Sequence, residues 1–298
     1  MEHPLIDKCP SCGSPFSNPF LELTDWFLSK EQFTLSKCED CLVIYTRTVP
    51  INIGAYYKSD EYISHSEKKT LLSSIYKRVQ GITLNSKKRL VSQVASGTSL
   101  LDYGAGKGDF SSHMIASGFT VTGYEPDPDA RKLAREKNSI SLVDTIDNIP
   151  ENSIDAVTLW HVLEHIPNPN HILQQLKQKL KKNGTMLIAV PNHKSYDAKY
   201  YGKYWAAYDV PRHVTHYDID SMQSLLERNG LNIIQTKPMW FDSTYVSLLS
   251  EKYKALDSGR QPNLNKHLKA ILIGTISNLV TIFGKNRCSS LIYVIQPQ

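Results

Sequence analysis

Between Ser99 and Glu125 the chain reads SLLDYGAGKGDFSSHMIASGFTVTGYE, and the residues best suited to hold a small charged ligand sit in its middle. Gly104, Gly106 and Gly108 alternate with Ala105 and Lys107 just after Asp102. Glycine takes positive φ without strain and lets the backbone approach a ligand that a Cβ would hold off. Glu125 follows Gly104 by 21 residues, the separation at which an acid closing the next strand reaches a ribose diol. The spacing separates two ligand classes. A dinucleotide site has its last glycine at the sixth position of G-x-G-x-x-G. Here that position is Asp109, and the third glycine comes one residue early. An acid opening the helix would also repel the pyrophosphate that a helix N-terminus attracts. The D-x-G-x-G-x-G form suits a nucleoside carrying an amino acid, whose ammonium group favours nearby carboxylates.

A second set of reactive side chains precedes it. Cys9 and Cys12 form one C-x-x-C pair, Cys38 and Cys41 another, and Cys288 stands apart. Two such pairs a couple of dozen residues apart match the spacing of a four-thiolate zinc site, each pair supplying two ligands from a tight knuckle. Disulfides fit a reducing compartment poorly, and no βαβ pattern surrounds either pair as a redox motif would need. Four thiolates leave no open position, so the expected zinc is structural. A third group, His161, Glu164 and His165, also fits the H-x-x-E-H form of an inverted zinc peptidase. That chemistry needs both histidines in a long helix, whereas His161 directly follows a strand and Pro167 comes two residues after His165.

The elements that must position these residues can be read from their patterning. With 298 residues, 21% charged and 41% hydrophobic, the chain is expected to be soluble and globular. No uncharged apolar run reaches 18 residues and the start MEHPLIDKCP lacks a secretory core, so a cytoplasmic location is expected. The net charge of +5 permits an anionic acceptor without demanding nucleic acid. Residues 1–45 read as a zinc-ribbon-like module with strands near Phe33–Ser36 and Leu42–Tyr45, and 46–97 as a linker and helical cap. Lys87, Lys88 and Arg89 read as the cap's solvated face. From residue 98 to 298, strands alternate with helices: Val121–Glu125, Ile140–Val143, Ile154–Leu159 and Met186–Val190, then Ile233–Lys237 and Ser290–Ile295. That alternation predicts an α/β fold, a doubly wound, mostly parallel Rossmann-like sheet with helices on both faces. Residues 193–217 form an aromatic insertion and 241–289 a helical one. Within the latter, Leu268–Phe283 is apolar nearly all round and too short to span a bilayer. Burial at the sheet edge or in a homodimer interface is expected for it, with peripheral contact to a membrane as the alternative.

With strand, glycine turn, helix and spaced acid together, the chain resembles the class I S-adenosylmethionine-dependent methyltransferases. Asp155–Ile166, DAVTLWHVLEHI, looks like their fourth motif, and Lys182-Asn183-Gly184-Thr185 and Pro191-Asn192 stand where their fifth strand begins and ends. The resemblance covers residues 98–192 well and 210–240 more loosely, and does not reach the cysteine module. It implies that Asp102, Gly104, Ala105 and Gly106 line the donor's amino-acid end. Glu125, with Pro126 beside it, takes the ribose. Asp144 or Thr145 reaches the adenine, and Trp160 and His161 flank the sulfonium.

Methyl transfer is an in-line displacement, so the acceptor must be held and water excluded. More than half of the 16 tyrosines lie before the first core strand or after the fifth, where they can fold over the site's mouth. Tyr62, Tyr201, Trp205, Arg212 and His216 are the expected acceptor contacts, Arg212 holding a phosphate or carboxylate. Tyr200 and Tyr204 are expected to pack on the sheet instead. His213, in a loop after Pro211, is the expected general base, with His65 and Tyr57 as further catalytic candidates. The expected reaction is methyl transfer to oxygen or nitrogen of a small polar or carbohydrate-like metabolite. An RNA base methyltransferase is the alternative, but lysines and arginines form no stripe interleaved with aromatics. A non-catalytic protein docking a partner through its zinc module is the reading from a different class.

Overall fold

The computed structural model of the protein describes residues 4–57, 71–240, 242–261, 263–284 and 287–298. Tyr62 and His65, expected at the acceptor site, lie outside the described residues.

The expected parallel sheet is present, with a mixed edge. Its strands are β4 (Ser99–Tyr103), β5 (Thr120–Tyr124), β6 (Ile154–Trp160), β7 (Leu180–Pro191), β9 (Leu231–Met239) and β10 (Ser290–Pro297), in the order β5-β4-β6-β7-β10-β9. The first four run parallel, and β10 pairs antiparallel with both β7 and β9. Side chains alternate between two apolar layers, as a sheet buried on both faces requires. Leu101, Val157, Met186 and Tyr293 join the layer under α4 (Pro169–Lys179) and α6 (Ile219–Arg228). Leu100, Ala156, Leu187 and Val294 meet α1 (Leu71–Val94) and α2 (Asp109–Ile115) on the other face. After β5, α3 (Pro128–Asn138) starts on an Asp127 cap with Pro128 at its first position. The strand expected over Ile140–Val143 shrinks to one bridge between Tyr124 and Val143, held by the two bonds Val143 N–H to Gly123 and Glu125 N–H to Val143.

The second sheet has the order β1-β2-β3-β8, from β1 (Ser17–Thr24), β2 (Gln32–Cys38), β3 (Ile44–Thr46) and β8 (Thr215–His216). Its fourth strand comes from the far side of the chain, so the cysteine ribbon and the segment after β7 share one hydrogen-bonded sheet. β1 escaped the sequence reading because Pro19 argues against a strand; it survives as an edge strand with an irregular register between Pro19 and Leu21. The aromatic insertion opens with α5 (Tyr196–Tyr201), and the helical insertion is a pair, α7 (Asp242–Asp257) and α8 (Leu264–Phe283).

Candidate active site

The glycine turn hangs from the carboxyl end of β4. Gly104 has φ of 77° and Gly106 of 56°, backbone that favours glycine, and a Cβ on Gly104 would lie 2.5 Å from Val162 Cγ2. Glu125, leaving β5, turns into this bend. One carboxylate oxygen accepts the Gly106 N–H at 2.7 Å and the other the Asp127 N–H at 3.0 Å. Burial pushes its carboxyl above the usual range, and the two N–H groups pull it back. Asp102 lies deeper than the sequence implied. It is 2% exposed and accepts from Ser111 Oγ at 2.6 Å and Thr158 Oγ1 at 2.9 Å, so it braces the turn from beneath. Pro126 is exposed at the start of the loop and its carbonyl accepts from Arg131 at 2.8 Å. Asp144 is exposed beside Arg131, 3.7 Å away, and the Thr145 hydroxyl donates to Asp147 at 2.7 Å. A bend free of side chains at Gly104 and Gly106 beside an acid, on the carboxyl rim of the sheet, is a cradle that fits a ribonucleoside with a charged tail.

Lys87 is the residue that sequence reasoning missed. Instead of facing solvent, it extends over the Trp160 ring, 4.5 Å from its centroid, between Asp102 and Asp242. Burial lowers its ammonium while the two carboxylates hold it up. The signal was there: Lys87 stands three and four residues before Leu90 and Val91, the buried stripe of α1. Trp160 itself meets Phe110 edge-on at 5.4 Å. His161 follows with φ of 58°, a strained backbone held by its N–H bond to Ala189. Its ring bridges two acids, Nδ1 to Glu164 at 3.2 Å and Nε2 to Asp242 at 3.0 Å. Burial opposes the charge, but the two carboxylates raise this imidazole to about 10. The imidazolium in turn holds the buried Glu164 below the carboxylate range.

The turn at Leu163–His165 and the segment around β8 come together, which their distance in sequence concealed. Val214 N–H donates to the Glu164 carbonyl at 2.8 Å, and the His165 and His213 rings meet edge-on at 4.5 Å. A carbonyl only accepts, so the bond from His213 Nδ1 to the Ala207 carbonyl at 2.9 Å puts the proton on Nδ1 and leaves Nε2 as an acceptor. His165 Nδ1 bonds the Arg212 carbonyl at 3.0 Å, with the Tyr57 hydroxyl also 3.0 Å from that nitrogen. Burial and the neighbouring His165 lower His213 to about 4, so it is neutral near pH 7. Glu164, His165 and His213 each offer a donor atom within 4.8 Å of the others, and the second Glu164 oxygen has no hydrogen-bond partner among the described residues. Such a group can share a proton or hold a cation.

Three acceptor expectations need correction. Arg212 is 2% exposed, and its guanidinium is committed to Asp25 at 2.8 Å, Asp209 at 2.6 Å and the Tyr56 carbonyl at 3.2 Å, stacked on Phe27. It locks the ribbon to the His213 segment and has no donor to spare for an anion. Trp205 is buried with its Nε1–H on Asp197 at 2.7 Å, and Tyr201 is buried beside it. Both belong to a small core with Leu23, Phe33 and Tyr56, between ribbon and insertion. The rings expected to pack on the sheet do the reverse: Tyr200 is exposed and Tyr204 reaches Asp257 at the surface. His216 is buried behind His213, their ring centres 6.2 Å apart.

The four ribbon cysteines converge. Sγ atoms of Cys9 and Cys41 are 3.5 Å apart, as are those of Cys12 and Cys38, and all four lie within 4.8 Å of one another. Sulfurs around a tetrahedral zinc at about 2.3 Å are about 3.8 Å apart, whereas a disulfide needs about 2.05 Å. The donor set fits zinc.

Comparison with known proteins adds to this geometry. The profile of a family described as a methyltransferase domain matches residues 75–236. A ubiquinone biosynthesis O-methyltransferase of Glaesserella parasuis is 34% identical over 109 residues, covering 32% of this chain and 46% of that protein. The chain thus spans about half the length of that relative. An uncharacterized methyltransferase of Bacillus thuringiensis is 29% identical over 154 residues, covering 46% and 71%. Among solved structures, a SAM-dependent methyltransferase of Thermotoga maritima, titled a possible histamine N-methyltransferase, aligns with TM-score 0.50 at 13% identity, over 76% of this chain and 96% of that one. A chain from the complex of the Haloferax volcanii Trm112 methyltransferase activator with a putative methyltransferase gives 0.50 at 16%, over 74% and 92%. At these identities the likeness is one of fold.

Proposed function

The chain belongs to the methyltransferase-domain family, and from that premise we propose that it transfers the methyl group of S-adenosylmethionine to an oxygen or nitrogen of a small polar or carbohydrate-like metabolite, with a structural zinc in its ribbon. The observation that supports this most is the Glu125 carboxylate held against the Gly106 N–H at 2.7 Å, beside a glycine whose Cβ position has no atom within 4 Å.

S-adenosylmethionine, when bound, supplies an electrophilic methyl group on a sulfonium. Glu125 accepts from the ribose hydroxyls, and Pro126 lies beside it. Gly104, Ala105 and Gly106 present backbone to the amino-acid end, while Asp102 keeps the bend in shape. Lys87 brings a cation suited to the donor's carboxylate, and Asp144 or Thr145 reaches the adenine. Glu164, the His161 imidazolium and Asp242 together carry one net negative charge, which would favour a sulfonium flanked by Trp160 and His161. On the acceptor side, His213 Nε2 is unprotonated at neutral pH and takes the proton of the attacking hydroxyl or amine. Tyr57 and His165, which meet each other beside His213, orient that acceptor. Oxygen as the attacking atom gains support from the O-methyltransferase name of the relative.

The experiment is transfer of labelled methyl from S-adenosylmethionine to phenols, sugars, small amines and RNA. Label in a small hydroxylated or amino acceptor, falling about 10²- to 10⁴-fold in His213→Ala with donor binding unchanged, is the expected outcome. Label in RNA alone would reject the acceptor class. Full activity in His213→Ala would reject the base.

A further inference from the structure

α8 has two apolar or small-residue faces, and only one has a partner. Inward, Ala270, Ile273, Ser277 and Thr281 are buried, and Gly274 comes so close to α7 that a Cβ would lie 2.6 Å from Thr244 Cα. Ser277 also donates to the buried Asp197 at 2.8 Å, which ties α8 to the aromatic insertion. The opposite face carries Leu264, Leu268, Ile271, Leu272, Leu279 and Ile282, each between 47% and 71% exposed. At 100° per residue these fall within an arc of about 100°, one stripe about 27 Å long with only Thr275 among them on its line. Patches of that kind on a soluble surface mark an interaction site.

The charge of the segment that carries the stripe indicates what covers it. Residues 240–298 hold seven lysines and arginines against three acids, four of the chain's five net positive charges. Lys254, Arg260 and Arg287 are exposed, while Lys269 pairs with Glu251 at 3.4 Å. Two copies meeting face to face would bring two such basic segments together and repel. An anionic bilayer instead accepts the leucines among its acyl chains and the basic groups among its headgroups. No helix among the described residues is long and apolar enough to cross a membrane, so α8 would lie flat.

We infer that the outer face of α8 seats this protein on an anionic lipid surface.

Vesicle flotation tests it without donor or acceptor, so its result is independent of methyl transfer. The full chain should float with vesicles of phosphatidylcholine containing phosphatidylglycerol, and be released by raised salt. It should stay down with phosphatidylcholine alone. The double variant Leu268→Asp with Leu272→Asp changes two exposed positions, so it should keep the wild-type melting temperature and lose binding at least about tenfold. Ile282→Asp, at the other end of the stripe, provides a second variant if the first melts early. Failure to float with anionic vesicles would overturn the inference, as would equal binding to neutral vesicles. A dimer in analytical ultracentrifugation that the same substitutions dissociate, without vesicle binding, would overturn it in favour of a second copy.

Discussion

Two histidines at the site's mouth carry opposite electrostatics, and each leaves a mark on stability. An unfolded histidine titrates near about 6.5. His161, raised to about 10 by Glu164 and Asp242, contributes stability that is fully present below the unfolded value and is lost as pH rises through about 10. His213, lowered to about 4 by burial and His165, stays neutral while its unfolded counterpart takes a proton, so stability falls as pH drops from about 6.5 through about 4. Thermal melts across this range should therefore peak near neutrality. His161→Gln should flatten the alkaline limb and also soften the acid limb, because Glu164 and Asp242 lose the cation that holds their carboxyls down. An unchanged alkaline limb would mean that the imidazolium between the two acids does not form.

The element that joins the molecule's two halves is β8, and its edge pairing makes the ribbon part of the site. Ile44 pairs with His216 and Tyr45 with Thr215, and Thr46 Oγ1 donates to the His213 carbonyl at 2.7 Å. Stripping the proposed zinc with a chelator should lower the melting temperature and raise hydrogen exchange over residues 9–46 and 212–216 together. A rise confined to 9–46 would show the ribbon to be mechanically separate. Arg212 seals the same junction. Arg212→Met would leave the fully buried Asp25 without its cation, and a loss of about 3–5 kcal/mol is expected in denaturant unfolding. A change within experimental error would remove Arg212 from that role. None of this junction was legible in the sequence: Asp25 and Arg212 are 187 positions apart, and an arginine beside a histidine in a loop reads as ligand chemistry until its partners are known. The glycine bend and Glu125 were legible because a single strand–turn–helix fixes them locally. Lys87 and the rings of the aromatic insertion were not, because their roles depend on which face meets which neighbour.

For the whole molecule, patterning carried the architecture further than it carried the site. Alternating apolar strands and amphipathic helices specified the parallel sheet, and two C-x-x-C pairs specified the ribbon, since both signals lie within short stretches. Where chain segments far apart meet, as at His165 and His213, only the folded topology brings the chemistry together. Every role assigned to the site requires a nucleoside donor seated against Glu125 at the carboxyl rim. Isothermal titration of S-adenosylhomocysteine and of NAD into the wild-type protein and into Glu125→Ala tests this most directly. The expected result is one S-adenosylhomocysteine bound per chain, no NAD binding, and at least about a tenfold weaker complex in Glu125→Ala with folding intact, the loss of hydrogen bonds to a charged group. NAD binding in place of S-adenosylhomocysteine, or an affinity indifferent to Glu125→Ala, would contradict it.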